Sequence, residues 1–284
     1  MIATTYRDAG EFLFSTQAIL ERNEAANNLM LGICLRLKRF PERIKTAPYL
    51  VTVADGSELV VAAVMTPPHK LVIYGNRQDC GEALEIVARD LLVNRWVVPG
   101  VSGPAPVAKV FAVTWANVSS VKYKEGMHQR IYELRKVIPP ESSRGRLRLA
   151  TEDDVDLVTE WILAFQKEAL TGGDRAEAYE IAKSRIGDRD IYIWEDEKPV
   201  SMAAKTRPML NGLGVSLVYT PPELRGRGYA TACVASLSQS LLDSGWKFCA
   251  LFTDLSNPTS NRIYQRIGYT PVCDFNEYVF DVAK

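Results

Sequence analysis

The sequence lacks the compositional signs of several protein classes. Its 284 residues include 34 basic and 34 acidic side chains, so no excess of positive charge favours a nucleic-acid partner. No stretch reaches the roughly 18 apolar residues that span a bilayer. Arg7 and Asp8 also interrupt the start, where a secretory signal needs an apolar run. We therefore expect a cytoplasmic protein that has neither a nucleic acid nor a membrane as its partner.

Histidine and paired cysteine are also scarce. The five cysteines are scattered without a Cys-x-x-Cys pair, and His69 and His128 are the two histidines. An odd number of dispersed thiols favours neither a disulfide framework nor a zinc site. We expect no bound metal and interpret the cysteines as small buried hydrophobic residues.

The length and one break in composition predict two domains. With 47% hydrophobic and 24% charged residues, the composition is that of a globular protein, and the chain is long enough for two cores. Residues 139–146 contain two prolines, two serines and a glycine, as linkers often do. We predict domains at 1–138 and 147–284, joined by the linker 139–146.

A weak internal repeat relates the two halves at an offset of 141 residues. Asp55 aligns with Asp196, Pro67 with Pro208, and the pair at 62–63 with another Ala-Ala pair at 203–204. The residues around both alanine pairs are typical of a β-hairpin. We therefore predict the same α/β fold in both halves.

A glycine-rich segment in the second half is typical of an anion-binding loop. Residues 219–230 join a predicted strand to a predicted helix and read Tyr-Thr-Pro-Pro-Glu-Leu-Arg-Gly-Arg-Gly-Tyr-Ala. Gly226 and Gly228 allow the backbone N–H groups to approach a ligand, and the helix directs its positive end to the same point. Arg225 and Arg227 add positive charge. The segment is neither a Walker A loop nor a dinucleotide fingerprint, so we interpret it as a diphosphate loop of another kind.

A second pattern follows the next predicted strand, 248–253. Asn257 before Pro258 is a favourable N-cap followed by a favourable first helical residue, and Gly268 predicts the end of the helix. Tyr264 lies seven residues after Asn257, almost two turns. Both side chains are therefore expected on the same side of the helix.

These two patterns resemble the signatures of the GNAT superfamily of N-acetyltransferases. Arg225-x-x-Gly228-x-Ala230 resembles its acyl-coenzyme A pyrophosphate loop, and residues 257–269 resemble its signature Asn-x-x-Ser/Ala-x-x-x-Tyr-x-x-x-Gly-Phe/Tyr. The resemblance covers about 146–284. It implies a strand-helix-helix-strand-strand-strand-helix-strand-helix-strand domain with a splayed, mixed sheet, in which strand 277–282 completes the sheet.

The resemblance also implies a cofactor and a set of site residues. In that family the pantetheine arm of acetyl-coenzyme A adds like an extra strand beside the end of the fourth strand, here 217–220, the asparagine contacts the cofactor, and the tyrosine lies beside its sulfur. Tyr264 is therefore the implied catalytic residue, a proton donor to the leaving thiolate. The implied cofactor-binding residues are Val218, Tyr219, Thr220, Arg225, Gly226, Arg227, Gly228, Tyr229, Ala230, Asn257 and Tyr264.

The resemblance thus implies two GNAT-like domains in tandem, with the C-terminal one catalytic. We expect transfer of an acetyl group from acetyl-coenzyme A to a primary amine of a small molecule or peptide, by direct attack, in a monomer or homodimer. A protonated amine needs a base before it attacks, and the sequence does not identify one. Glu168 and Glu223 lie near the predicted site, but either is more typical of a solvated surface charge.

The first half lacks both signatures. The connection 75–82 contains no Arg-x-x-Gly-x-Ala, and Asp79 and Glu82 near its helix start would repel a phosphate. Val110 stands seven residues after Gly103, where the second signature has tyrosine. We predict that this half has lost the cofactor site and the acid.

Two other protein classes share parts of the pattern. A non-catalytic acyl-coenzyme A sensor needs the glycine-rich loop but not Tyr264. An aminoacyl-tRNA-dependent transferase also pairs two such domains, but it is expected to have a basic groove and no intact pyrophosphate loop. The neutral net charge disfavours the transferase.

Overall fold

The computed structural model describes residues 1–141, 144–169 and 172–281, which form two compact units. The first unit consists of Met1–Ile131, Thr253–Ser256 and Pro271–Lys284, as far as these are described. The second consists of Tyr132–Phe252 and Asn257–Thr270. Residues 142 and 143 of the predicted linker lie outside the described residues.

The first half of the chain contains ten α-helices and β-strands among its described residues. Asp8 caps the first helix by accepting hydrogen bonds from the N–H groups of Gly10 and Glu11, at 2.7 and 3.0 Å. The elements are β1 (Ile2–Thr5), α1 (Ala9–Leu20), α2 (Asn28–Arg39), β2 (Tyr49–Asp55), β3 (Glu58–Met65), β4 (Leu71–Gly75), α3 (Gly81–Val93), β5 (Gly100–Pro104), α4 (Ala105–Ser119) and β6 (Tyr123–Leu134).

The second half repeats the same order of elements. They are β7 (Arg146–Leu149), α5 (Val155–Ala169), α6 (Arg175–Gly187), β8 (Ile191–Asp196), β9 (Lys198–Pro208), β10 (Gly212–Tyr219), α7 (Tyr229–Asp243), β11 (Phe248–Asp254), α8 (Pro258–Arg266) and β12 (Thr270–Phe280). This order confirms the one predicted for residues 146–284. It also supports the internal repeat, because ten elements recur in the same sequence.

Each unit contains a strand segment from the other half of the sequence. The strand order is β1-β2-β3-β4-β5-β12 in the first unit and β6-β11-β10-β9-β8-β7 in the second, where β6 enters with residues 132–134. β12 pairs antiparallel with β5, from Phe275 opposite Pro104 to Val279 opposite Gly100. Residues 277–279 of the strand expected at 277–282 thus lie beside β5 of the first half, and Val282 lies outside the described residues.

The pairing of β12 with β5 could not be predicted from the periodicity of the sequence, for a physical reason. Alternation of side chains identifies a strand, but the choice of partner depends on which sheet edge is open and on the matching of buried faces. On β12, Tyr278 and Phe280 join the core of the first unit beside Phe111 and Trp115 of α4. The domain boundaries at 138/139 and 146/147 remain a prediction from the sequence.

Helices cover both faces of each sheet. In the first unit α1 and α2 pack on one face through Phe12, Leu13 and Leu31, and the α3–α4 core lies on the other. In the second unit Trp161 and Ile162 of α5 belong to one cluster, and the buried side of α7 belongs to another. This layering holds the end of β10 and the start of α7, where the candidate site lies.

A network of charged side chains stabilises the segment that precedes α5. The carboxylate of Asp154 accepts hydrogen bonds from the N–H of Thr151 at 2.8 Å and from both Nη atoms of Arg148, at 2.7 and 2.9 Å. Arg148 also donates to Glu195 at 2.7 Å. The Asp154 side chain is only 9% exposed, and its bonds to Arg148 hold the pKa of this carboxyl below its usual range.

Asp154→Asn should destabilise the protein by about 2 kcal/mol at pH 7, because it removes the charge that Arg148 pairs with and weakens the helix cap. A carboxyl whose folded pKa is depressed contributes stability above its unfolded pKa of about 3.9 and loses it as the pH falls through the folded value. The difference between wild type and variant should therefore shrink below about pH 4 in urea unfolding. Exposed Asp153→Asn is the control, and an equal effect of both variants at pH 7 would contradict this role.

Candidate functional site

The glycine-rich loop has the backbone conformation that its glycines were predicted to allow. Gly226 and Gly228 have φ angles of +78° and +81°, in the left-handed region that disfavours side chains. No protein atom lies within 4 Å of the position that a Cβ would take at either residue. Both positions therefore favour glycine because of their backbone conformation, and not because a side chain would clash with other protein atoms.

The helix after the loop presents unpaired N–H groups at this point. Gly228 is the N-cap of α7 and has no side chain to cap it, and the first helical bond runs from the N–H of Ala232 to the carbonyl of Gly228 at 3.0 Å. The preceding N–H groups have no intrahelical acceptor, and the helix dipole adds positive potential. Cys233, Val234 and Leu237 anchor α7 in the core, with no exposed surface. The start of α7 thus has the features of a helix N-terminus that can bind an anion.

Arg225 connects the loop to Thr220 and Glu168 by hydrogen bonds. Its Nε donates to the carbonyl of Thr220 at 2.9 Å, and its Nη2 donates to both carboxylate oxygens of Glu168 at 2.9 and 2.7 Å. The guanidinium also lies 5.8 Å from the centre of the Tyr219 ring. Glu168 is therefore the partner of Arg225, an interaction across 57 residues that the sequence did not reveal.

Tyr229 and Arg227 occupy different surroundings at the two sides of Gly228. The Tyr229 hydroxyl donates to Asp196 at 2.7 Å, which ties the start of α7 to the end of β8 and raises the pKa of the tyrosine. Arg227 is exposed, and its Nη2 donates weakly to the carbonyl of Glu223 at 3.5 Å. Ala230 is half-buried in the first turn of α7. Arg227 consequently has fewer hydrogen bonds to the protein than Arg225 among those that the described residues form.

The end of β10 separates from its parallel neighbour. β10 pairs with β11 over residues 212–214, opposite 248–250, and within the described residues no pairing with β11 continues over 215–219. On the β9 side the register shifts between Ser216 and Tyr219, and Leu217 has a φ of +48°. Such a bulge twists the strand away and leaves backbone groups outside the ladder. Residues 217 and 218 are therefore available to a strand-like ligand.

The side chains around this bulge differ in burial and in hydrogen bonding. Tyr219 and Thr220 are buried, and Ser201 Oγ lies 3.0 Å from the Tyr219 carbonyl and 2.8 Å from Thr220 Oγ1. Val218 is half-buried against the core beneath α7. Ser216 Oγ is buried and has no hydrogen-bond partner within the described residues. Sequence reasoning missed Ser216, because a lone serine in a strand gives no signal of its own.

The second predicted motif forms the helix α8. Asn257 caps it by accepting a hydrogen bond from the N–H of Ser260 at 3.0 Å, and Asn257 itself is exposed. Tyr264 is 7% exposed and packs edge-on against Tyr269, with ring centres 5.9 Å apart. It belongs to the same core cluster as Cys233 of α7. Burial raises the pKa of Tyr264, so its hydroxyl is protonated at neutral pH.

The corresponding region of the first unit has different chemistry. Arg77, in the connection before α3, is surrounded by the carboxylates of Asp79, Asp55 and Glu58 at 3.1, 3.2 and 3.3 Å. β4 and β5 also stay close: a Cβ on Gly103 would lie 2.8 Å from the carbonyl oxygen of Ile73. The described part of this unit therefore lacks the positive loop, and its β4 and β5 lie close together at Ile73 and Gly103.

Two further properties concern the described residues as a whole. None of their helices is long and apolar enough to cross a membrane. The same residues contain no group of three or more His, Cys, Asp or Glu side chains placed to hold a metal ion.

A protein-family model matches the part of the chain that carries these features. The family is described as FR47-like protein, of GNAT type, and the match covers residues 196–279, about three tenths of the chain. This stretch contains both the glycine-rich loop and α8. A comparison with curated proteins gives no match.

Solved structures of GNAT proteins resemble the whole chain. A GCN5-related N-acetyltransferase from Sphaerobacter thermophilus has 16% identity and a TM-score of 0.66, over 99% of this chain and 95% of that one. A tandem GNAT protein from the clavulanic acid biosynthesis pathway has 14% identity and a TM-score of 0.59, over 100% and 98%. A GNAT-family acetyltransferase from Colwellia psychrerythraea has 13% identity and a TM-score of 0.58, over the full length of both chains.

These findings confirm the predicted resemblance and fold class. The chain has an α/β fold of two GNAT-like domains, and its second half carries the match to the GNAT-type family model. At identities of 13 to 16% the likeness to solved structures concerns the fold, so the chemistry rests on the site residues of this chain.

Gly228→Asp should abolish binding of acetyl-coenzyme A, because it adds a carboxylate at the start of α7 and a side chain at a φ of +81°. Isothermal titration at millimolar ligand measures the loss. Gly245→Asp is the matched control: Gly245 follows the other end of α7, has a φ of +104° and is equally open. Comparable strain with retained binding is expected there, and binding retained by Gly228→Asp would rule out the loop as a phosphate site.

Proposed function

We propose that the protein is an N-acetyltransferase that moves the acetyl group of acetyl-coenzyme A to a primary amine of a small molecule or peptide by direct attack. The observation that carries the proposal is the junction of β10 and α7. There a bulged strand end without a β11 partner leads, through two left-handed glycines, into an uncapped helix start. Acetyl-coenzyme A when bound supplies an activated thioester with a diphosphate at the other end of its pantetheine arm.

The residues present fit the two ends of that molecule. The N–H groups around Gly228, Tyr229 and Ala230 suit a diphosphate, with exposed Arg227 adding charge. The backbone of residues 217 and 218 suits the extended pantetheine arm, and one N–H there would polarise the thioester carbonyl. The buried hydroxyl of Ser216 lacks a protein partner within the described residues, which also favours a polar ligand beside the bulge.

Tyr264 is proposed as the acid. It lies in the core cluster that also contains Cys233 of α7, and its hydroxyl, protonated at neutral pH, can donate a hydrogen bond to a developing thiolate. A buried donor acts in a low dielectric, where a hydrogen bond to a developing negative charge is stronger than in water. Asn257 at the start of the same helix is proposed as a cofactor contact.

Glu168 is proposed to position the loop and not to act as the base. Its carboxylate accepts two hydrogen bonds from Arg225, which in turn binds the Thr220 carbonyl at the end of β10. To remove the proton of the amine, the carboxylate of Glu168 would have to reach the amine, and it is held by the loop arginine. The amine is therefore proposed to lose its proton through another group or through water.

The function is tested by screening amines for thiol release from acetyl-coenzyme A with the full chain. Amine-dependent thiol release with formation of an acetylated product is the expected result. Tight binding of acetyl-coenzyme A without thiol release for any primary amine would contradict catalysis and favour the sensor alternative.

Tyr264→Phe should lower turnover by about 100- to 10,000-fold at unchanged cofactor affinity, because it removes the proton donor and leaves the ring packed. Single-turnover measurements exclude an effect on product release. Tyr269→Phe is the matched control: the two rings are neighbours, but the Tyr269 hydroxyl bonds to Ser238 at 2.9 Å. A Tyr264→Phe protein with the wild-type single-turnover rate would show that the hydroxyl is not the acid.

Binding of acetyl-coenzyme A should saturate at one molecule per chain. The first unit lacks the cationic loop, has its Arg77 neutralised by three carboxylates, and keeps β4 and β5 close at Gly103. Titration calorimetry gives the stoichiometry directly. A value of two, or loss of only half the sites in Gly228→Asp, is the result that would overturn this prediction.

A further inference from the structure

The first unit contains a large cavity that plays no part in the proposed acetyl transfer. It lies between α2 and one face of the first sheet, and its volume is about 840 Å³. Sites for small molecules commonly have roughly 300 to 1,000 Å³. We call this cavity the α2 groove. Its lining includes Leu29, Ile33 and Leu37 of α2, Val64 of β3, Val72 of β4 and Val279 of β12.

One wall of the α2 groove is apolar over a considerable length. Leu29, Ile33 and Leu37 recur at intervals of four residues along α2, so they form a single stripe on the helix. All three are half-buried, whereas Val64 on the opposite wall is fully buried. The stripe thus keeps apolar surface in contact with the groove after folding, which favours a ligand with a hydrocarbon part.

The charged groups of the α2 groove are mainly cationic. Its acidic residue, Glu277, is already engaged: Lys70 Nζ lies 2.5 Å from one carboxylate oxygen, and the buried Ser102 hydroxyl lies 3.5 Å from the other. Arg36 and Lys45 also line the groove, are exposed, and form no ion pair within the described residues. After the Lys70–Glu277 pair is counted, two positive charges remain without a partner.

We propose that the α2 groove binds an amphipathic carboxylate, with its hydrocarbon chain along the stripe of α2 and its carboxylate beside Arg36 and Lys45. Arg36 lies on the same helix as the stripe, one residue before Leu37. The helix α2 can therefore contact both the hydrocarbon chain and the carboxylate of the ligand. A cationic head group would meet two like charges, and Glu277 is already neutralised by Lys70. A ligand without charge would gain nothing from either cation.

This binding site is independent of the proposed acetyl transfer. Every lining residue belongs to the first unit, and the glycine-rich loop, Asn257 and Tyr264 belong to the second. Loss of one function therefore does not entail loss of the other, and binding of acetyl-coenzyme A reports that the second unit is intact.

The test is a calorimetric titration of the full chain with decanoate, decanol and decylammonium, each below its aggregation range. Decanoate should bind at one molecule per chain, at least ten-fold more tightly than decanol, and decylammonium should bind most weakly. Equal affinity for decanoate and decanol, or tighter binding of decylammonium, would overturn the proposal.

Variants locate the site. Arg36→Gln with Lys45→Gln should reduce the affinity for decanoate to that for decanol and leave decanol unchanged. Arg22→Gln with Lys38→Gln is the matched control, because it removes two exposed cations of the first unit that do not line the groove. Leu37→Trp should weaken both ligands by filling the groove. Decanoate affinity that survives the Arg36/Lys45 pair of substitutions would place the ligand elsewhere and refute the assignment, even if Leu37→Trp does not fold.

Discussion

The separation of β10 from β11 is the constraint on which the candidate site depends. The two parallel strands share three paired residues, and the bulge at Leu217, with its φ of +48°, then turns β10 away. A parallel pair that continued would satisfy all backbone groups internally and leave nothing for a ligand. Thr220 follows β10 directly at the start of the glycine-rich loop, so the strand end and the start of α7 are joined by this one segment.

Charge neutralisation decides how the loop is held. Arg225 binds Glu168 and the carbonyl of Thr220, which leaves the N–H groups of α7 and exposed Arg227 as the positive features for an anion. The first unit has the same order of elements but surrounds Arg77 with three carboxylates. Two domains of one fold therefore differ in chemistry because a few charges and glycines differ, and their shared architecture does not imply a shared site.

Much of the site was predictable, because its signals are local. The positive φ angles of Gly226 and Gly228, the start of α7 after Gly228 and the cap at Asn257 all follow from residue type and spacing. The buried position of Tyr264 was not encoded in that way. Sequence patterning identifies helix faces but does not show which atoms of the neighbouring helix cover them, so its packing against Tyr269 required the structure.

The sequence by itself determined the class of the fold, the order of its elements and the residue types of the site, because turn chemistry, helix caps and side-chain periodicity act over a few residues. Only the tertiary structure decided that β12 pairs with β5, that Glu168 binds Arg225 across 57 residues, and that Ser216 lies without a partner among the described residues. These contacts join distant parts of the chain. Their geometry depends on how whole sheets and helices pack, and no local pattern specifies that packing.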